Sequence, residues 1–210
     1  MGRTRSITGQ SGNGAGKNGT VERPPPKRSP PPDKIADLCE SCVRFVAAKY
    51  AVEPDYTEDT LSLLDQYVRE ARDETALQPE ALDIIQTAMG AYFGEVVRRR
   101  FGAHWAAEGD DPSEWKLLLE HVYLSFNPVA IAREAILEGE AEGWSAHFKT
   151  DPSEKDIVLR KLAKLPPVPE EEYYLPTTRF DVLQMVHDAL RAHMEKDGTG
   201  DVTFKPEDYD

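Results

Sequence analysis

Between residues 80 and 101, Leu82, Ile85, Met89, Tyr92, Phe93 and Val96 recur at spacings of three and four and fall on one side of a helical period. Asp83, Gln86 and Arg98 fall on the other. The pattern predicts a long helix that needs a covering layer on its apolar side, so the rest of the chain is expected to pack around it. Gly102 ends it as a C-cap, and Trp105 follows. Two more helices precede it. Asp33 reads as the N-cap of a helix over 34–50 with Ile35, Leu38, Cys42, Phe45 and Val46 inward. Thr57 reads as the cap of a second, through about Ala76, with Leu61, Leu64, Tyr67, Val68 and Ala71 inward. Gln78-Pro79 breaks the chain before the central helix, where a proline suits the first turn. Connections this short favour antiparallel helix neighbours.

Beyond Trp105 the period changes. A polar turn, Glu108–Pro112, leads into two short apolar runs, Trp115–Leu119 and Val122–Phe126, whose periodicity alone does not separate helix from strand. The Tyr-Leu-Ser-Phe alternation before Asn127-Pro128 reads as a strand, which predicts a small antiparallel sheet or hairpin on the central helix; Ser113–Glu120 is open to a helical alternative. Helical spacing returns over Val129–Glu142, opened by Pro128 and ended by Gly143. Asp151-Pro-Ser-Glu154 signals a short amphipathic helix with Ile157, Val158, Leu162 and Leu165 apolar, which stops at Pro166-Pro167. A Pro- and Glu-rich connector carrying Tyr173 and Tyr174 follows, with Glu170, Glu171 and Glu172 as a solvated run. A last helix runs from Thr177 or Thr178 to about Glu195, with Phe180, Leu183, Val186, His187, Leu190 and Met194 as its apolar side.

The expected fold class is therefore α+β and mostly α: one helical domain over 34–196 with a small antiparallel hairpin or sheet. A disordered basic tail over 1–33 precedes it and an acidic C-terminal tail over 197–210 follows. In residues 1–33 the only aliphatics are Ile7, Ala15 and Val21, too few to offset the entropy of ordering. Pro24–Pro32 favours an extended polyproline spacer that an aromatic-lined groove can also accept.

Charge sharpens this division. The net charge is −13, yet residues 1–34 carry seven Lys or Arg against two acids, net +5, which leaves −18 on residues 35–210. Such a body repels phosphate backbones, so it is expected to bind no nucleic acid, and any such role falls to the tail. No apolar run approaches the roughly 18 residues of a membrane span, and the N-terminus lacks the apolar stretch of a secretory signal, so no membrane role and a cytoplasmic location are expected. Cys39 and Cys42 lie three apart on one helix face without the insert, strand or second pair that redox or zinc chemistry uses, and read as structural thiols.

Several motifs fail on inspection. Ser11–Asn18 imitates a phosphate-binding loop, but Ser11 stands in the first glycine position, Asn18 in place of the metal-binding hydroxyl, and no strand or helix flanks it. Met1–Ser6 fits a myristoylation pattern too short to be diagnostic. Gly143–His147 resembles a nucleophile elbow with His147 in place of its second glycine. Glu195–Pro206 resembles a calcium loop in which Glu195, Asp197 and Thr199 are the weak metal candidates; Gly200 and Val202 fit, but Pro206 removes the bidentate carboxylate. The five histidines show no helix-borne metal spacing, so no metal site and no cofactor are expected.

Val52–Asp65, with its aspartate-tyrosine loop and leucine-rich helix, and Gly90-Ala-Tyr-Phe-Gly-Glu through Trp105 together resemble a family of small uncharacterised bacterial helical proteins over residues 40–142. The resemblance implies a helical fold and brings no catalytic residues.

The end of the central helix is the candidate site. Glu95 and Arg99 are spaced for a surface ion pair, and Arg98, Arg99 and Arg100 complement the helix dipole. With His104 and Trp105 the group Glu95, Arg98 and Arg99 is the candidate pocket for an anionic ligand or an acidic segment. Gly90 and Gly94 cost roughly 1 kcal/mol each relative to Ala in a helix, which points to close approach of another part of the chain. The leading functional expectation is a non-enzymatic adaptor or accessory protein whose acidic body meets a protein partner of basic character. The alternatives are an immunity protein against a basic toxin, or a binder or enzyme acting on a small anion through Glu95–Trp105.

Overall fold

The proline run stops at Pro32, and helix α1 (Asp33–Tyr50) starts at once in the computed structural model, which describes residues 30–77 and 79–209. The expectations for the tail up to Ser29, including both motifs it contains, lie outside the described residues. Asp33 is not the cap: the carbonyl of Pro32 accepts the first helical bonds, and Asp33 sits in the first turn, where its charge favours the helix dipole. Ile35, Cys39, Cys42 and Val46 are the buried stripe of α1. Burial alone pushes the Cys42 thiol up to about 12, so both cysteines, free and buried, are poor nucleophiles at neutral pH.

Thr57 does not cap the second helix either. Asp55 accepts from both the amide and the hydroxyl of Thr57, a 3-10 turn follows over Glu58–Thr60, and α2 (Leu61–Leu77) continues from it. All five residues read as inward on α2, from Leu61 to Ala71, are buried.

The central helix, α3 (Pro79–Phe101), ends at Gly102 with φ +80, as its pattern predicts. Its environment is different from the one-sided burial expected. Gln86 and Arg98 are buried on the side assigned to solvent, because α3 is enclosed by α1, α2, the sheet and α4 (Pro128–Leu137). The two glycines allow this. A Cβ on Gly90 would lie 2.4 Å from Cα of Val129, and one on Gly94 would lie 2.4 Å from the ring of Trp105. One glycine admits the backbone of α4 and the other an indole.

The sheet is an antiparallel meander of β1 (Ala103–Ala106), β2 (Lys116–Leu119), β3 (Leu124–Phe126) and β4 (Lys149–Thr150), in that spatial order. The alternation before Asn127 thus marks a strand, and Lys116–Leu119 is strand, not helix. β1 had no period of its own to reveal it: its four residues become a strand by pairing Ala103 with Leu119 and Ala106 with Lys116. Asn127 is the hinge between sheet and α4. Its Oδ1 accepts from the amides of Val129 and Ala130, and its Nδ2 donates to the carbonyls of Pro112 and Ser113, so cap and loop are tied by one amide.

Helix α4 stops at Leu137, six residues before Gly143. Glu138 takes the left-handed conformation at φ +54, and the amide of Gly139 closes on the carbonyl of Glu134. α5 (Lys155–Leu162) buries only Val158 fully; Ile157 and Leu162 stay half-buried. The connector contains a further helical turn, α6 (Glu170–Tyr173), with its glutamates exposed. α7 (Pro176–Lys196) begins with Pro176 at its first position, and Asp65 of α2 accepts from both the amide and the hydroxyl of Thr177, capping α7 from a distant helix. One core cluster draws on residues from α1 to α7.

Residues 197–209 are fastened to the sheet. The Tyr209 hydroxyl donates to the carbonyls of Leu119 and Val122 and accepts from the amide of Leu124, and its ring stacks on Tyr123 at 4.5 Å. The calcium-loop candidates are spent on local bonds: Glu195 pairs with Arg191, Asp197 lies 3.3 Å from Nε2 of His193, and the hydroxyl of Thr199 donates to the carbonyl of Met194.

His187, on the apolar side of α7, packs its ring 4.7 Å from Phe101 and buries Nε2 without a hydrogen-bond partner. Burial holds its pKa below the ordinary imidazole value, against the pull of Asp188 and with a smaller push from Arg191 and His121. Below about pH 6.5 the unfolded chain therefore takes up a proton that the folded chain refuses. This contribution to stability is complete above that pH and is lost as the pH falls through the folded value. Thermal unfolding of the wild type and of His187→Gln should converge in midpoint as the pH is lowered from 7.5 to 5. A gap that stays constant across that range would remove His187 as the origin.

Candidate functional site

Strand alternation decides the fate of the candidate residues. Trp105 points toward α3, and His104, one residue earlier on β1, points to the opposite face. His104 lies with Nε2 3.5 Å from Oε1 of Glu120 and is partly exposed. The other four residues come together. Glu95 is 1% exposed and Arg98 8%. Arg98 grips the carboxylate with Nε on Oε1 at 2.6 Å and Nη2 on Oε2 at 2.9 Å, and Nε1 of Trp105 donates to Oε1 at 2.8 Å. A bidentate guanidinium–carboxylate pair with an added indole donor satisfies a charge that burial would otherwise make costly.

The expected surface pair is thus rearranged. Arg98, three residues on, is the principal partner of Glu95, and Arg99 stands further off at 3.6 Å from Oε2. The guanidinium of Arg99 lies 3.8 Å above the ring of Tyr56, and that ring stacks on Tyr92 at 4.8 Å. The Tyr92 hydroxyl accepts from the amide of Tyr56 and shares a hydrogen bond with Thr60. Burial, with the negative charge of Glu95 next in weight, raises the nearby Cys39 thiol far above its ordinary range. Arg100 turns away to Glu58. The cluster therefore works as a clasp: it locks the aspartate-tyrosine loop, the end of α3 and β1 to one another. Its carboxylate and its principal guanidinium are mutually satisfied, so the geometry suits a structural role better than anion capture.

A second, half-buried ion pair had no local signal, since its members lie 45 residues apart. Nη2 of Arg179 on α7 donates to Oε2 of Glu134 on α4 at 2.6 Å. The guanidinium also lies 4.7 Å from the Tyr173 ring and 5.3 Å from that of Tyr174. The tyrosines of the connector are thereby pinned to the body. Burial raises the pKa of Glu134 against the opposing charges of Arg179 and His147.

Two concavities flank this pair. A pocket of about 300 Å³ is lined by Glu134, Glu140, Glu142, Trp144 and His147. A larger groove of about 850 Å³ runs between α5, α7 and β4, with Leu159, Val168, Tyr173 and Phe148 on its walls. Leu159, Val168 and Tyr173 are 51%, 39% and 47% exposed. His147 lines both concavities. Sequence reasoning missed the groove because each wall comes from a different segment. The visible signal was the apolar run Ile157-Val-Leu159 of α5, wider than the face one neighbouring helix covers.

Among the described residues, no group of three or more His, Cys, Asp or Glu is placed to hold a metal ion, and no helix is long and apolar enough to cross a membrane. No family model matches this chain, and neither a curated protein nor a solved structure matches it.

Proposed function

We propose that the protein is a non-enzymatic interaction protein, an adaptor or accessory subunit of bacterial origin, whose acidic body meets a basic protein partner. The observation that carries this reading is the charge division of the chain, −18 on residues 35–210. Opposed charge accelerates encounter and suppresses wrong partners more than it adds affinity. The arrangement of Glu95, Arg98 and Trp105 supports the same reading, because these polar groups bond one another and hold loops in place. Membership in the bacterial family that residues 40–142 resemble is part of the proposal and adds no chemistry to it.

The partner should be retained from a cell extract at about 50 mM salt and largely released by about 0.5 M, where screening shortens electrostatic reach to a few ångströms. Glu140→Lys combined with Glu142→Lys, both exposed, should weaken retention at low salt. If nothing is retained at low salt, or if retention is indifferent to salt and to the charge reversal, the electrostatic reading fails.

A further inference from the structure

The groove between α5, α7 and β4 departs from the rest of the surface in both polarity and charge. Seven large apolar side chains are exposed among the described residues, and three of them, Leu159, Val168 and Tyr173, gather on its walls. Apolar residues gathered in this way mark a binding surface, where scattered single ones do not. The chain carries 38 Asp and Glu against 25 Lys and Arg, yet among the described residues no Asp or Glu lines the groove, while Lys149, Lys155, Arg179 and His147 do. The segment from Lys155 to Lys164, with Arg160 and Lys161 between, sets four cations against Asp156 alone. An acidic body thus holds one apolar groove with the opposite sign of charge.

Two of these cations are uncommitted. Arg179 is bonded to Glu134, but Lys149 and Lys155 have no ion-pair partner among the described residues. The acids close to them in sequence are engaged: Asp151 accepts from the amide and the hydroxyl of Ser153, and Glu154 from the hydroxyl of Thr150. That last bond ties β4, which carries Lys149, to the start of α5, which carries Lys155. Along α5 the wall then turns apolar, with Val158, Leu159 and Leu162 following Lys155 over about 10 Å at 1.5 Å per residue. Charge lies at one end and apolar surface along the length.

We propose that this groove binds a free fatty acid, with its carboxylate on Lys149 and Lys155 and its acyl chain along Leu159, Leu162 and Val168. A volume of about 850 Å³, apolar walls and a few charged groups at one end are the make-up of a small-ligand site. An acyl chain suits these walls better than a peptide does, because a peptide brings amides that need partners. The strand edge beside the groove, Lys149–Thr150, is two residues long and offers little of a ladder. The proposal stands apart from the basic partner, and its failure would leave the charge reading of the body untouched.

Calorimetric titration of the full chain with decanoate, below the concentration at which it forms micelles, tests it. Saturable binding at a single site is expected, with decanol at least about tenfold weaker because it lacks the charge-assisted bonds to lysine. Decyltrimethylammonium should be weaker still, although the net charge of −13 would favour it if adsorption followed the overall field. Leu159→Asp and the double change Lys149→Glu with Lys155→Glu should each weaken decanoate by about tenfold or more, through lost apolar contact and like-charge repulsion. All three positions are exposed, and unchanged unfolding midpoints verify the fold. Ile84→Asp, an exposed apolar position on α3 outside the groove, should leave the affinity unchanged. Four results would overturn the proposal: no saturation with decanoate, affinity indifferent to both groove variants, decyltrimethylammonium binding as tightly as decanoate, or capture by phosphatidylglycerol vesicles without binding of free decanoate, which would assign the groove to a membrane surface.

Discussion

Replacing Glu95 by Gln is expected to destabilise the protein by about 3–5 kcal/mol, the range for removing one member of a buried, hydrogen-bonded ion pair. The cost does not come from the lost attraction alone. Arg98 is 8% exposed and donates to both carboxylate oxygens, so the variant would leave a guanidinium buried opposite an amide that accepts at only one end. The Trp105 indole shares Oε1 with Nε of Arg98 and would lose the stronger, charged acceptor. Replacing both ionic partners, Glu95→Leu with Arg98→Met, should recover most of the loss, because apolar residues of similar size often substitute for a buried pair near neutrally. Urea unfolding of the two single variants and the double variant measures this coupling. A loss below about 1 kcal/mol in Glu95→Gln would mean that the pair is open to water, and would return the cluster to the ligand-binding reading.

Gly90→Ala should destabilise by about 3 kcal/mol or more, at the upper end of what overpacking a filled core costs. Helix propensity alone predicts the reverse, a gain of roughly 1 kcal/mol on replacing a mid-helix glycine by alanine. Packing wins because the new methyl would stand 2.4 Å from Cα of Val129, 2.8 Å from its amide nitrogen and 2.9 Å from the carbonyl oxygen of Pro128. These are backbone atoms at the start of α4, held by the Asn127 cap, and no rotamer change relieves the clash. Gly109→Ala is the control, since nothing lies within 4 Å of a methyl there, and its effect should stay within about 0.5 kcal/mol. Equal unfolding midpoints for Gly90→Ala and the wild type would refute the close approach of α3 and α4.

These two predictions, together with the clasp around Tyr56, indicate how the molecule is held. From Ala88 to Arg98, α3 is buried on every side, and each contact has its own device: a glycine for a backbone, a glycine for an indole, an ion pair for the last turn. Elsewhere the surface stays open between α5 and α7, where Leu159, Val168 and Tyr173 are exposed.

Helix positions and apolar stripes were legible from the residues because they depend on local period. Leu61 to Ala71, Phe180 to Met194 and the Gly102 cap needed no knowledge of the neighbours. The sheet was legible in its middle, where Leu124-Ser-Phe126 alternates, and invisible at β1, where four residues become a strand only by pairing with Lys116–Leu119. Candidate site residues were found in sequence because Glu95, Arg98 and Arg99 share a helix end. Their roles were not, because the alternation of β1 sends Trp105 inward to the carboxylate and His104 outward to Glu120. The sequence alone thus determined the helical class, the acidic body and the glycines that demand close contact, all properties of local spacing and composition. Tertiary structure decided which charge is buried, which arginine pairs with Glu95 and where an apolar groove stays open, because each depends on segments far apart in the chain meeting at one place.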